Sequence, residues 1–179
     1  MQINTNQFLV RFNQSIDHWI DALEAYTIDI LRQKPHPGTW SLGQVYVHIA
    51  NDTHWFVEQM KLASANSDSS QEPMKKNGRW ILDNDGFPDM LIVGPSVNDS
   101  VPQPTSKEAL VQQFTNIKEE VNQLCMTVDI EQAIGKTQHP GLGYFSASEW
   151  LRFAEMHMRH HLRQKKRIEE AIGIKTGNS

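Results

Sequence analysis

Eight histidines are spread along the chain, and the pair that most invites chemistry stands four residues apart, His157 and His161. On a helix that spacing turns two side chains only about 40° from one another, one turn apart on a shared face. The face also carries Trp150, Ala154, Gln164, Ile168 and Ile172, an apolar stripe of the kind a packed helix buries. Earlier in the chain His48 shares a stripe with Val45, Asp52 and Trp55, beside Ile49 and Phe56, and is expected to point inward as well. Two imidazoles on an inward stripe form a half-site that helical metal proteins use repeatedly. The competing reading is of neutral core histidines, each with two ring nitrogens in need of partners. Spacing alone leaves both open, although a metal ion satisfies one nitrogen on every ring.

The remaining histidines divide by position. His160 is three residues from His157, so a His157–His160 pair is geometrically possible, but its neighbours Phe153 and Gln164 make a mixed face, and it ranks second. His54 falls on a different face from His48, His18 reads as helix surface, and His36 and His139 read as loop residues, each before a proline. The frame H-x-x-x-H also belongs to the protease motif H-E-x-x-H, but Met158 stands where the general-base glutamate is required, which excludes that chemistry. There is no G-x-S-x-G elbow, no Walker loop and no G-x-G-x-x-G. Gly141-Leu142-Gly143 reads as part of a loop. Cys125 is the single cysteine, set in an apolar run with no cation nearby to activate it, and reads as a small hydrophobe.

These side chains need elements to position them, and four segments carry helical periodicity. The first is expected from about Asn6 to Gln33, through Phe8, Phe12, Ile16, Trp19, Leu23, Tyr26 and Ile30, until Pro35, Pro37 and Gly38 stop it. The second starts at the capping box Ser41-Leu42-Gly43-Gln44 and runs to about Ala63. The third starts at Thr105-Ser106-Lys107-Glu108, read as another box, and runs to about Thr127. The fourth starts at Ser146-Ala147-Ser148-Glu149 and runs to about Ile172, with Gly173 as its stop. The expected fold is all-α, a four-helix bundle. The short first connection predicts that helices one and two are antiparallel neighbours. The connection from about Ser64 to Pro104 is too long for a simple turn and predicts a crossover between helices two and three. Its apolar residues, Trp80, Ile81, Leu82, Phe87, Met90, Leu91, Ile92 and Val93, are expected to pack over the bundle, while Ala65–Lys76 reads as disordered. Trp80 and Phe87 are candidates either to line a pocket or to plug the core.

Composition bounds the function. At 179 residues the chain fits one domain over 1–179, with 64–104 as a long loop and 174–179 as a tail. The net charge of −4 offers no footprint for nucleic acid. The dense basic run Arg163–Arg167 reads as a solvated helix end that complements the helix dipole. No apolar run approaches the ~18 residues of a membrane span, and the N-terminus does not resemble a signal peptide, so the expectation is a cytoplasmic protein with a small-molecule substrate.

Trp40-Ser41-Leu42-Gly43-Gln44 followed by Val47-His48-Ile49-Ala50 resembles the second-helix signature of the DinB/YfiT-like metalloenzymes. His139-Pro140-Gly141-Leu142-Gly143 leading to Glu149-Trp150, and then His157-Met158-Arg159-His160-His161 with Gln164, resembles their last helix. The resemblance implies a four-helix bundle with a crossover, one divalent metal near an end of the bundle, and frequent homodimers. It implies His48, His157 and His161 as ligands, with His160 as a flanking residue and Asp52 as an acceptor for a ligand ring or for water. Three neutral imidazoles leave a coordination position open, which is catalytic in type, and Zn²⁺, Ni²⁺, Fe²⁺ and Co²⁺ all suit them. The implied activities are a metal-dependent hydrolase or a transferase of low-molecular-weight thiols. Thiol transfer asks for a basic or polar cleft, for which Arg79, Arg152 and Arg159 are available. A non-catalytic metal- or ligand-binding bundle is the alternative, and it asks for an open position that is sealed.

Overall fold

A computed structural model describes residues 5–89 and 100–174. Its elements are α1 (Thr5–Ala22), α2 (Ile28–Arg32), α3 (Leu42–Ala65), α4 (Lys76–Asp83), α5 (Lys107–Thr127), β1 (Lys136–His139), β2 (Gly143–Ser146) and α6 (Ala147–Ala171). The two long helices that carry the histidines start on complete capping boxes. Ser41 accepts the Gln44 N–H while the Gln44 side chain accepts the Ser41 N–H, and Ser146 and Glu149 do the same. α5 starts one residue later than expected: Ser106, not Thr105, accepts the Ala109 N–H, and no reciprocal glutamate closes a box. Gly173, at φ +80°, follows the end of α6.

α1, α3, α5 and α6 form a four-helix bundle, and their order around it corrects the expectation for helices one and two. α6 lies between α1 and α3, and α5 lies between them on the other side. α1 and α3 therefore sit on a diagonal and meet across the core, where Trp19 packs edge-on to Tyr46 and the Tyr46 hydroxyl donates to the Trp19 carbonyl. Side-chain pairs set the directions. Arg11 and Ser15 reach Glu155 while Trp19 donates to the Met158 carbonyl, so α1 and α6 run parallel. Lys61 pairs with Glu120 near the far ends of α3 and α5, and the Gln44 amide donates to the Val101 carbonyl just before α5, so these two are parallel as well. A parallel pair cannot be joined by a tight turn, so the connection from α3 to α5 is a crossover that travels the length of the bundle.

The first helix also departs from its periodicity. It ends at Ala22, passes through a short 3-10 turn at Leu23–Ala25, and restarts at Ile28 with Thr27 as its cap. At the break Tyr26 is buried and hydrogen-bonds Glu169, which Lys165 pairs at 2.8 Å. Lys165 is thus a buried partner within the basic run and not a solvated helix end, while Lys166 and Arg167 are exposed as expected.

The long connection is structured where it is described. It contains α4, whose Ile81 and Leu82 join the core, and the segment expected to be disordered is tied down: the Lys136 N–H donates to the Asp68 carbonyl, and the Lys75 N–H to the Leu142 carbonyl. Met90, Leu91, Ile92 and Val93 lie outside the described residues. The β1–β2 hairpin before α6 lies where the sequence predicts a loop around Gly141-Leu142-Gly143. Gly143 opens β2 at φ +86°, and a Cβ there would stand 2.6 Å from the Lys75 nitrogen, so only glycine lets the two backbones meet. Thr137 of β1 accepts the Trp150 indole N–H at 2.7 Å, which holds the start of α6 against the hairpin.

Candidate metal centre

Antiparallel packing of α3 on α6 places His48 opposite His157 and His161. The Nε2 of His161 lies 3.2 Å from the Nε2 of His48 and 3.2 Å from that of His157. One ligand atom from each ring falls within 4.8 Å of the others, and all three side chains are buried. Two imidazoles bound to one tetrahedral ion at the usual ~2.0–2.1 Å would hold their nitrogens about 3.3 Å apart, so the spacing fits a shared cation.

Among the described residues, a far-side hydrogen-bond partner sets the tautomer of His161 alone. The Nδ1–H of His161 donates to the Gln164 amide oxygen at 2.8 Å, which leaves its Nε2 lone pair facing the cluster. Nδ1 of His48 faces Asp52 at 3.5 Å, within ion-pair reach but long for a hydrogen bond. Nδ1 of His157 is buried with no partner among the described residues. Burial, with His161 and His160 close by, pushes His48 down to about 3 and holds His157 well below the ordinary histidine range. His161 is also lowered by burial, against the opposing pull of Gln164. Three rings that resist protonation and each bring a nitrogen to one place form a donor set for a metal, not a charged cluster.

The flanking residues take distinct places. Asp52 is half-exposed, its second oxygen 3.6 Å from the His157 Nε2, and burial lifts its carboxyl to about 6. His160 stays outside the converging nitrogens: its ring packs on Phe87 at 4.8 Å and its Nδ1 accepts from the Arg163 guanidinium at 2.8 Å. Phe87 also touches His157 and Phe153, so of the two loop aromatics it borders the cluster, whereas Trp80 is exposed on α4. His139 is no loop residue. It ends β1 and packs against Trp150 and Phe153, and burial lowers it to about 4. Its place was hidden because the hairpin that carries it is too short to show a period. Gln164 stands three residues after His161, a spacing that lets its side chain meet the ring as acceptor.

The profile of the DinB superfamily matches residues 11–164, a span that contains every residue of the cluster and ends at Gln164. The chain belongs to the DinB superfamily. The match to this DinB bundle extends to solved structures: YfiT from Bacillus subtilis, described as a probable metal-dependent hydrolase with an unusual four-helix bundle topology, superposes with a TM-score of 0.68. The two are 13% identical, and the alignment covers 96% of this chain and 89% of YfiT. At that identity the likeness establishes the fold. A search of curated protein sequences finds no match.

Each of the three arginines considered for an anion has a partner away from the cluster in this DinB protein, although the Arg152 Nε is buried without one among the described residues. Arg79 pairs with Glu149, Arg152 donates to the Leu82 carbonyl and lies over the Phe8 ring, and Arg159 pairs with Glu155 and Asp85. A second group, His54, Glu58 and Glu120, gathers on the surface, where Lys61 already neutralises both carboxylates at 2.8 and 3.2 Å. Among the described residues no helix is long and apolar enough to cross a membrane.

Proposed function

We infer that His48, His157 and His161 hold one divalent cation and that the protein is a metal-dependent hydrolase of a small molecule. The observation that carries this reading is the convergence of the Nε2 atoms at 3.2 Å, with the His161 tautomer set by Gln164. The description of YfiT, a fold relative, points the same way. A cation held by three neutral imidazoles supplies Lewis-acid charge and lowers the pKa of water toward ~7. The protein's own residues do the rest. Gln164 orients a ligand ring, Phe87 and the Trp40 ring at 5.1 Å from His48 keep bulk water from the flanks, and Asp52 stands at the half-exposed side. A carboxylate there is placed to take a proton from an attacking water and return it to the leaving group.

Two observations favour hydrolysis over the other readings. The three arginines that thiol transfer would draw on are each engaged with a carboxylate or a carbonyl away from the cluster. A non-catalytic site would be sealed, whereas here the flank carries a half-exposed carboxylate.

Metal analysis of the purified chain tests the centre: about one ion per chain is expected, lost in His48→Ala and in His157→Ala. If both variants kept stoichiometric metal, the ligand assignment would be wrong. Esters and amides assayed beside a thiol–electrophile pair test the reaction, and turnover of neither set would overturn the enzyme reading.

A further inference from the structure

Along α3 the residues His48, Asp52 and Trp55 advance by four and then three, so their side chains form one row on the helix. The row leads outward: His48 is 7% exposed and Trp55 36%. Trp55 is nonetheless held firmly. Trp150 meets it at 5.4 Å and 88°, Phe56 at 5.7 Å and 65°, and His139 at 6.0 Å and 76°. His139 is itself anchored, since its Nδ1 accepts the Gly141 N–H at 3.1 Å. All three contacts are edge-to-face, so none of the described rings lies flat against the indole. The frame is continuous with the metal centre, because Phe56 and Phe153 both pack on His157.

We propose that Trp55 is a stacking platform for a planar aromatic group of the substrate, bound next to Asp52 at the open side of the centre. An indole already fixed by three rings loses little freedom when a ligand stacks on it, and offset stacking selects a flat ring over a puckered one of equal size. The proposal rests on the metal-centre reading for the reaction, but binding at Trp55 needs no metal. Trp40, which leans on His48, and Phe87, which leans on His157 and His160, border other sides of the same cluster and, among the described residues, leave Trp55 as the aromatic one turn from the carboxylate.

The test uses benzamide against cyclohexanecarboxamide, two neutral carboxamides that differ in the planarity of the ring. Each is titrated into ¹⁵N-labelled full-length protein, with chelator and with zinc, and the Trp55 indole signal is identified by its loss in Trp55→Phe. Benzamide is expected to shift that signal and to bind about ten-fold more tightly than the cyclohexyl compound. Trp55→Phe should keep affinity within about three-fold, and Trp55→Leu should lose about ten-fold, a split that a simple apolar plug would not produce. Equal binding of the two carboxamides, or full benzamide affinity in Trp55→Leu, overturns the proposal. If Trp55→Leu does not fold, the two-ligand comparison on the unaltered chain still decides. Benzamide binding in chelator separates this result from the metal assignment, which is decided by metal analysis alone.

Discussion

At the scale of single residues the centre depends on which ring nitrogen carries a proton. Gln164 accepts from Nδ1 of His161 and so reserves Nε2 for a cation. Gln164→Leu removes that acceptor while keeping the size of the side chain. Metal affinity should fall about 10–100-fold with the ligands intact, measured by competition with a chelator of known strength. Asp52 makes a different case, since its oxygens lie 3.5 and 3.6 Å from the rings of His48 and His157 and its carboxyl sits at about 6. Asp52→Asn keeps the shape and removes the base. With metal content unchanged, kcat on a cleaved ester should drop about 10²-fold or more. An unchanged kcat would leave Asp52 as a surface carboxylate that happens to lie near two histidines.

At the scale of elements the break in the first helix shows how a local pattern is overruled. The apolar period continues through Tyr26 and Ile30, yet the helix stops because Tyr26 and Trp19 must both reach α6. The junction is a buried group of three, with Tyr26 at 3% exposure, Glu169 at 2% and Lys165 at 8%. Burial, the hydrogen bond to Glu169 and its charge together drive the Tyr26 hydroxyl far above the usual phenol range, so it stays a neutral donor. Lys165→Met strands a buried carboxylate and should cost about 3–5 kcal/mol in chemical denaturation. The double change Lys165→Met with Glu169→Leu should recover part of that loss, because an apolar pair replaces the stranded charge. A double variant no more stable than the single one would mean that the stranded Tyr26 hydroxyl or lost packing costs as much as the unpaired charge.

At the scale of the whole molecule the buried histidines make folding depend on pH. His48 is lowered to about 3, and His139 and His160 to about 4, from 6.5 in an unfolded chain. Between those limits the unfolded chain binds more protons than the folded one, so stability is full above about pH 6.5 and is lost as the pH falls toward 4. Each such group contributes a slope of about 1.4 kcal/mol per pH unit in that window. Metal-free protein should therefore lose thermal stability steeply from pH 6.5 to 4 in a melting series, and His139→Phe should flatten the slope. A Tm independent of pH across that range would contradict the burial of these rings.

Much of this was legible in the chain because it is local. A serine and the glutamine or glutamate three residues on close a capping box without outside help, so the starts of α3 and α6 could be read in advance. The 3.6-residue period likewise put His157 and His161 on one inward face, and His48 on the inward face of another helix. What local pattern does not contain is which faces meet. A short connection after the first helix predicts neighbours, as consecutive elements usually are, but α1 and α3 lie on a diagonal, because packing against α5 and α6 buries their stripes. The hairpin is not legible for the same reason: it is too short to have a period of its own and is held by partners distant in sequence, such as Leu142 on Lys75, whereas α4 is the helical turn that the apolar part of the long connection allows. The residue types and faces of the three histidines belong to the sequence. The approach of His48 to within 3.2 Å of His161, 113 residues away along the chain, belongs to the tertiary structure, since it needs α3 and α6 to be packed antiparallel.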